Sequence, residues 1–216
     1  MPKSARPALS TRSRHLARSM PRALPIWHVG CARCPGSTGR PPEAPPTCDG
    51  NGSMKAVWYE SNGPADKVLV YGDMADPVPA AGEVLVRLHA SGVNPSDVKA
   101  RAGSRPMGFP RVIPHSDGAG IVEAVGAGVD PSLVGSRVFV RNGQWRRASG
   151  TAADYIALDA GCVHPLPDGI GFDKGAALGI PALTAACAVL RDGPVAGETI
   201  LVHGAGGTVA RLAVQI

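Results

Sequence analysis

The chain has 216 residues, 44% hydrophobic and 18% charged, enough apolar material for one good core or two small ones, and it reads as a soluble globular protein. Its net charge of +5 does not mark a nucleic-acid binder, because residues 1–53 carry eight Lys/Arg against Glu43 and Asp49, a net of +6, and residues 54–216 carry 14 against 15, a net of −1; no folded basic face is left to meet a phosphate backbone. The longest uncharged stretch, 175–190, is interrupted by Gly179 and Pro181 and falls short of the ~18 apolar residues a membrane span needs, so neither nucleic acid nor membrane is an expected partner.

The first 53 residues hold nine of the 21 prolines, no acidic residue before Glu43 and no periodic apolar pattern, a composition expected to stay disordered. Basic, serine-containing, acid-poor sequence is also what a mitochondrial presequence shows, yet Pro2, Pro7, Pro21 and Pro25 interrupt the amphipathic helix that import needs. A start at Met54, directly after the turn-rich CDGNGS, is a third reading. The expected location is cytoplasmic, or mitochondrial if residues 1–53 are a presequence. Cys31 and Cys34, with His28 and Cys48 near them, lack the complete second ligand pair of a zinc knuckle. Cys162 and Cys187 show no framework spacing and read as small buried hydrophobes in a reducing compartment.

From Met54 onward the pattern becomes short β segments, MKAVWYE, KVLVYGD, EVLVRLHA, GAGIVEAVG, SRVFVR and ADYIAL, each rich in Val, Ile or Tyr and separated by Gly, Pro or Asp. Spacing this close, with no helix between most successive strands, predicts an antiparallel barrel-like domain. One helix interrupts it over 94–103, with Asn94 at the N-cap, Pro95 at the first helical position, Asp97 at N3 and Gly103 as the stop. After Pro167 the rhythm turns to helix and strand: helices over 171–179 and 181–193, a nearly continuous apolar strand in ETILVHG, a glycine-rich turn, and a helix beginning in VARLAVQI. A strand of that apolar type belongs in a parallel sheet covered on both faces, so it calls for neighbours on each side.

The ordered segments MKAVWYE, GEVLVRLHASGVNPSDVKARAG, IPHSDGAGIVEAVGAGV, GIPALTAACAVL and ILVHGAGGTVARLAVQ resemble the zinc-free quinone oxidoreductases, the zeta-crystallin-like branch of the medium-chain dehydrogenase/reductase superfamily. The match runs over 54–216 and leaves out the tail. It implies a mixed β and α/β chain: a disordered tail over 1–53, a GroES-like antiparallel β-barrel catalytic domain over 54–178, and over 179–216 the first β-strand and helix of a Rossmann domain that is C-terminally truncated. The resemblance further implies NADPH as cofactor, a quinone or enone acceptor as substrate, and a homodimer in the full-length form. The residue that chooses NAD or NADP falls ~20 residues past the glycine motif, beyond position 216.

The alcohol dehydrogenase branch carries zinc ligands at positions that correspond here to Asn94, Ser116 and Ile180, with His115 one residue out of register and no four-cysteine lobe between Val140 and Tyr155. Polarising a carbonyl through a metal is not expected, and chemistry falls to the cofactor. By resemblance the Asn94 to Arg101 segment faces the nicotinamide and substrate, which makes Asn94, Asp97 and Lys99 the candidate catalytic residues. Lys99 stands where many relatives carry a tyrosine; a protonated lysine there is a candidate donor to an enolate-like oxygen, with a solvated helix-face lysine as the other reading. Thr184 matches a family position beside the nicotinamide, against a simple bond back to its own helix. His115, His164 and His203 show no carboxylate partner in the sequence.

The strict dinucleotide fingerprint fails at Val209; the spacing that fits is Gly204, Gly207 and Ala210. Gly204, Ala205, Gly206, Gly207, Thr208 and Val209 are therefore the candidate cofactor-binding residues, with glycine admitting the pyrophosphate and the following helix supplying amide donors. The leading reading is the N-terminal part of an NADPH-dependent quinone or enone reductase, nearly inactive as it stands. A non-catalytic GroES-like binding module and a zinc-dependent alcohol dehydrogenase are the alternatives.

Overall fold

The computed structural model describes residues 52–216, so the tail, its cysteines and its presequence reading lie outside the described residues. β1 (Ser53–Trp58) pairs antiparallel with β2 (Val70–Ala75), in a register that sets Ser53 opposite Ala75 and Trp58 opposite Val70. A single helical turn, α1 (Ala65–Val68), precedes β2 and takes up residues that sequence alone assigned to the strand.

The main sheet has five strands in the order β6-β3-β4-β5-β7, every pairing antiparallel: β3 (Glu83–Gly92), β4 (Asp117–Val125), β5 (Arg137–Val140), β6 (Tyr155–Asp159) and β7 (Val163–Pro165). Bulges after Leu85 and Leu88 let β3 bend. The hairpin joins this sheet through a bridge between Ala56 and Ala153 and through Val57 N–H donating to Ala152 O at 2.8 Å. β7 was not foreseen, because three residues carry no periodicity to read.

Alternation along the strands builds the core. Val84, Val86, Val122, Val138, Val140, Ile156 and Leu158 are all essentially inaccessible and pack together. Met54, Ala56 and Ile113 form a second cluster beneath the hairpin, and Ala119, Leu166 and Ala176 a third that anchors the segment after the sheet.

α2 (Pro95–Arg101) follows β3 as expected, with Gly103 turning the chain at φ +101°. The helix expected over 171–179 is one turn, α3 (Phe172–Gly175), followed by a π-helical turn at Leu178–Ala182 and then α4 (Leu183–Leu190). Pro181 sits inside the wide turn; it lacks an N–H to continue the ladder, and a π-turn accommodates it. The anticipated boundary at 178/179 falls at the entry to this turn.

The expected strand over 198–204 forms no ladder: no described strand lies beside it, and Ile200 and Leu201 are left exposed. An apolar strand of that kind holds its form through neighbours, and these are absent among the described residues. The helix after the glycine turn does form, as α5 (Thr208–Gln215) with Gly207 at its N-cap, and it packs on α4 and the π-turn.

Candidate functional site

The site is organised by Asp117, the first residue of β4, which is 1% exposed. One of its carboxylate oxygens accepts from Asn94 Nδ2 at 2.8 Å, and Ile180 N–H donates to both oxygens at 2.9 and 3.0 Å. The Asp117 carbonyl accepts from Thr151 Oγ1 at 2.6 Å. One buried carboxylate therefore ties together the start of β4, the N-cap of α2 and the π-turn, which come from separate parts of the chain. Gly179 makes the approach possible, since a Cβ there would overlap the Asp117 carboxylate. Burial pushes the Asp117 carboxyl above its ordinary pKa, and the bonds from Asn94 and Ile180 pull the other way.

Asn94 is held from two sides. Its amide nitrogen reaches Asp117, and its backbone N–H donates to Asp97 Oδ2 at 2.8 Å, the half of a capping box in which the N3 carboxylate reaches back to the N-cap. Asp97 is buried, and burial raises its pKa against the Asn94 bond.

Beyond this cluster a polar chain runs outward: Thr151 Oγ1 is 2.9 Å from Ser91 Oγ, which is 2.9 Å from His115 Nδ1. His115 holds φ +76°, a strained backbone for a residue with a side chain. Burial lowers the His115 pKa, opposed by the charge of Asp97. His115 and Asp97 line one small apolar pocket together.

A cleft of ≈ 810 Å³ lies between these barrel residues and the glycine turn. Asn94, Ser91 and Pro181 line one part of it, and Gly204, Gly207, Thr208 and Val209 another. Gly204 sits at φ +81°, where glycine is favoured. Gly206 has an ordinary backbone, and a Cβ placed there meets nothing within 4 Å. No contact inside the chain requires glycine at 206, so the open space suits close approach by a ligand. With α5 beginning at Thr208, its first amides point out of the turn with the positive end of the helix dipole. The turn therefore fits the pyrophosphate of a dinucleotide.

Of the residues named from sequence, Asn94, Gly204, Gly207, Thr208 and Val209 meet in this cleft, and Ala205 and Gly206 belong to the same turn without lining it. Thr184 does not: its hydroxyl donates back to Ile180 O at 2.6 Å, and it lines a neighbouring cleft that shares Ile180. Asp97 lies behind Asn94 as its clamp. Lys99 is exposed on α2 and lines none of these clefts, as a solvated lysine does. Asp117 carries no signal of its own in the sequence, although it directly follows Ser116 in the segment compared with the zinc-binding branch.

The donor set at those positions does not fit zinc. Asn94 offers an amide, Ser116 a hydroxyl and Ile180 no side-chain ligand, while both Asp117 oxygens already accept hydrogen bonds. Among the described residues no group of three or more His, Cys, Asp or Glu is arranged to hold a metal ion.

Residues 80–168 match the model of the alcohol dehydrogenase GroES-like domain. The chain is 39% identical over 167 residues to a quinone oxidoreductase of Sus scrofa, a match covering 76% of this chain and 49% of that protein. Among solved structures, a quinone oxidoreductase of Pseudomonas syringae superposes with a TM-score of 0.66 at 33% identity, covering 75% of this chain and 49% of the other. A mycobacterial protein solved in complex with NADPH superposes with a TM-score of 0.62 at 30% identity, covering 76% and 48%. The chain thus spans about half the length of the curated relatives it matches.

Proposed function

Because the chain belongs to the medium-chain dehydrogenase/reductase superfamily, among proteins of the quinone oxidoreductase kind, we propose that it forms the barrel side and the pyrophosphate turn of an NADPH-dependent reductase acting on a quinone or enone acceptor. The single observation that carries this reading is the cleft in which Asn94 shares one cavity with Gly204, Gly207, Thr208 and Val209. When bound, the nicotinamide supplies a hydride to an electron-poor carbon of the acceptor. The chain's own part is placement: Gly204, Gly206 and Gly207 admit the pyrophosphate and α5 offers it amide donors, while Asp97 and Asp117 fix Asn94 so that its side chain is not free to turn away. In this reading Asn94 faces the reacting groups and the two aspartates are positioning residues. Thr184 and Lys99 lie outside this cleft, so the reading gives neither a place against the nicotinamide. Assembly of the full-length form as a homodimer belongs to the same proposal.

The test is a titration of the chain with NADPH, followed through the cofactor's fluorescence. Saturable binding, weakened by Asn94→Ala and weakened roughly tenfold or more by a bulky residue at 206, is expected. A second reading, a barrel module that binds a partner without chemistry, draws on one observation: the three cores are built entirely from residues before 179. It predicts no saturable NADPH binding.

A further inference from the structure

The small apolar pocket that His115 and Asp97 line has a volume of ≈ 400 Å³, opens between β1, α1 and α2, and shares only Val93 with the dinucleotide cleft. Its walls are aliphatic: Val57, Leu69, Val93, Val98, Pro114 and Ala152 line it, and among the described residues no Phe, Tyr or Trp does. Leu69, Val93 and Val98 stay exposed, so the apolar wall runs out to the solvent.

The hydroxyl protons nearby fix the state of the His115 ring. Thr151 Oγ1 gives its single proton to the Asp117 carbonyl, so toward Ser91 Oγ it can only accept. Ser91 has then spent its own proton on Thr151 and must accept from His115 Nδ1 at 2.9 Å. In the neutral ring this leaves Nε2 as a bare acceptor, and among the described residues no donor meets it. Burial lowers the His115 pKa and so favours that neutral ring. Ser91 does not line the pocket and His115 does, which turns the ring edge away from Ser91 toward the apolar walls. The ring is also held from its backbone: at φ +76° the His115 carbonyl accepts from Thr151 N–H at 2.9 Å, so one residue anchors both ends of His115.

The charges about the pocket oppose one another. Asp97 lines it beside Arg101, and Arg105 and His115 also act on the Asp97 carboxyl. Asp97 Oδ2 is taken by the Asn94 N–H, and the Arg101 guanidinium donates to Gly63 O. A charged ligand gains no unopposed partner here, whereas a neutral one with a single donor finds a fixed acceptor amid aliphatic walls. We propose that this pocket binds a small neutral aliphatic alcohol, its hydroxyl donating to His115 Nε2 and its hydrocarbon body lying against Val57, Leu69 and Val98. The proposal does not rest on the reductase reading, since the pocket and its acceptor are complete without NADPH.

Calorimetric titration with cyclohexylmethanol and with its methyl ether, which keeps the body and the oxygen but drops the donor, tests it. The alcohol is expected to bind roughly tenfold more tightly. His115→Asn, which tolerates the left-handed backbone but removes Nε2, should bring the two affinities together, and Val98→Trp, which fills the pocket from the exposed face of α2, should weaken both. Nitrogen shifts of the labelled imidazole should move at Nε2 as the alcohol saturates. Absence of saturable binding, or equal affinities on the unaltered chain, overturns the proposal, and that comparison together with Val98→Trp decides if His115→Asn fails to fold. A preference for the alcohol that survives in folded His115→Asn, or alcohol displaced by NADPH, overturns it as well, the latter because it places the alcohol in the dinucleotide cleft.

Discussion

Asp117→Ala removes the acceptor for two donors at once, Asn94 Nδ2 and Ile180 N–H. A donor left unsatisfied in a buried setting costs about 1–3 kcal/mol, which sets a range of roughly 2–6 kcal/mol for the pair. Relief of the buried carboxylate works the other way, because burial already disfavours its ionised form, so the expected loss at neutral pH is about 2–4 kcal/mol of the roughly 5–15 kcal/mol that a domain possesses. The pH dependence follows in sign. A carboxyl whose folded pKa is raised contributes stability that is complete below its unfolded value and lost as pH rises through the folded one. The penalty of Asp117→Ala is therefore largest in acid and shrinks toward neutrality. Asp117→Asn returns one acceptor oxygen and should recover about half the loss. Gly179→Ala drives its methyl into the same carboxylate, and combining it with Asp117→Ala should cost less than the sum of the two by about 1 kcal/mol or more. Urea unfolding of the four variants beside the unaltered chain measures all of this. A loss under about 0.5 kcal/mol for Asp117→Ala, the scale of an ordinary surface change, would refute the idea that this carboxylate ties the segments together.

Thr151→Val deletes the hydroxyl that donates to Asp117 O and meets Ser91; unfolding should show a loss of about 1–3 kcal/mol. His115→Gln should flatten the acid side of the stability curve. The folded His115 pKa lies below 6.5, so its contribution is present above that value and disappears as pH falls, and the variant lacks this decline; urea midpoints at neutral and mildly acid pH compare the two. Gly206→Val should leave unfolding within about 0.5 kcal/mol, since a side chain at 206 meets nothing, while NADPH affinity measured by fluorescence falls roughly tenfold or more.

What could be read from the sequence was what is local. Asn94, Pro95, Asp97 and Gly103 announce α2 through capping chemistry that needs no tertiary partner, and the β segments carry their alternation within themselves. Asp117 could not be weighed in that way: its partner Ile180 is 63 residues away, and only the fold brings them together. The wide turn at Leu178–Ala182 was hidden because Pro181 breaks a helix or widens it according to what packs around it. Residues 198–204 have the composition of a buried strand, but pairing is a property of neighbours, and the described chain supplies none. Lys99 drew attention by position in a family pattern, and the fold sets it exposed on α2, outside the cleft that Asn94 lines.

The most direct measurement is the map of amide shift changes when NADPH is titrated into the isotope-labelled chain. The account predicts saturable changes at Gly204, Gly207 and Thr208 on one side of the cleft and at Asn94 on the other. Changes confined to residues away from that cleft, or none that saturate, would contradict it.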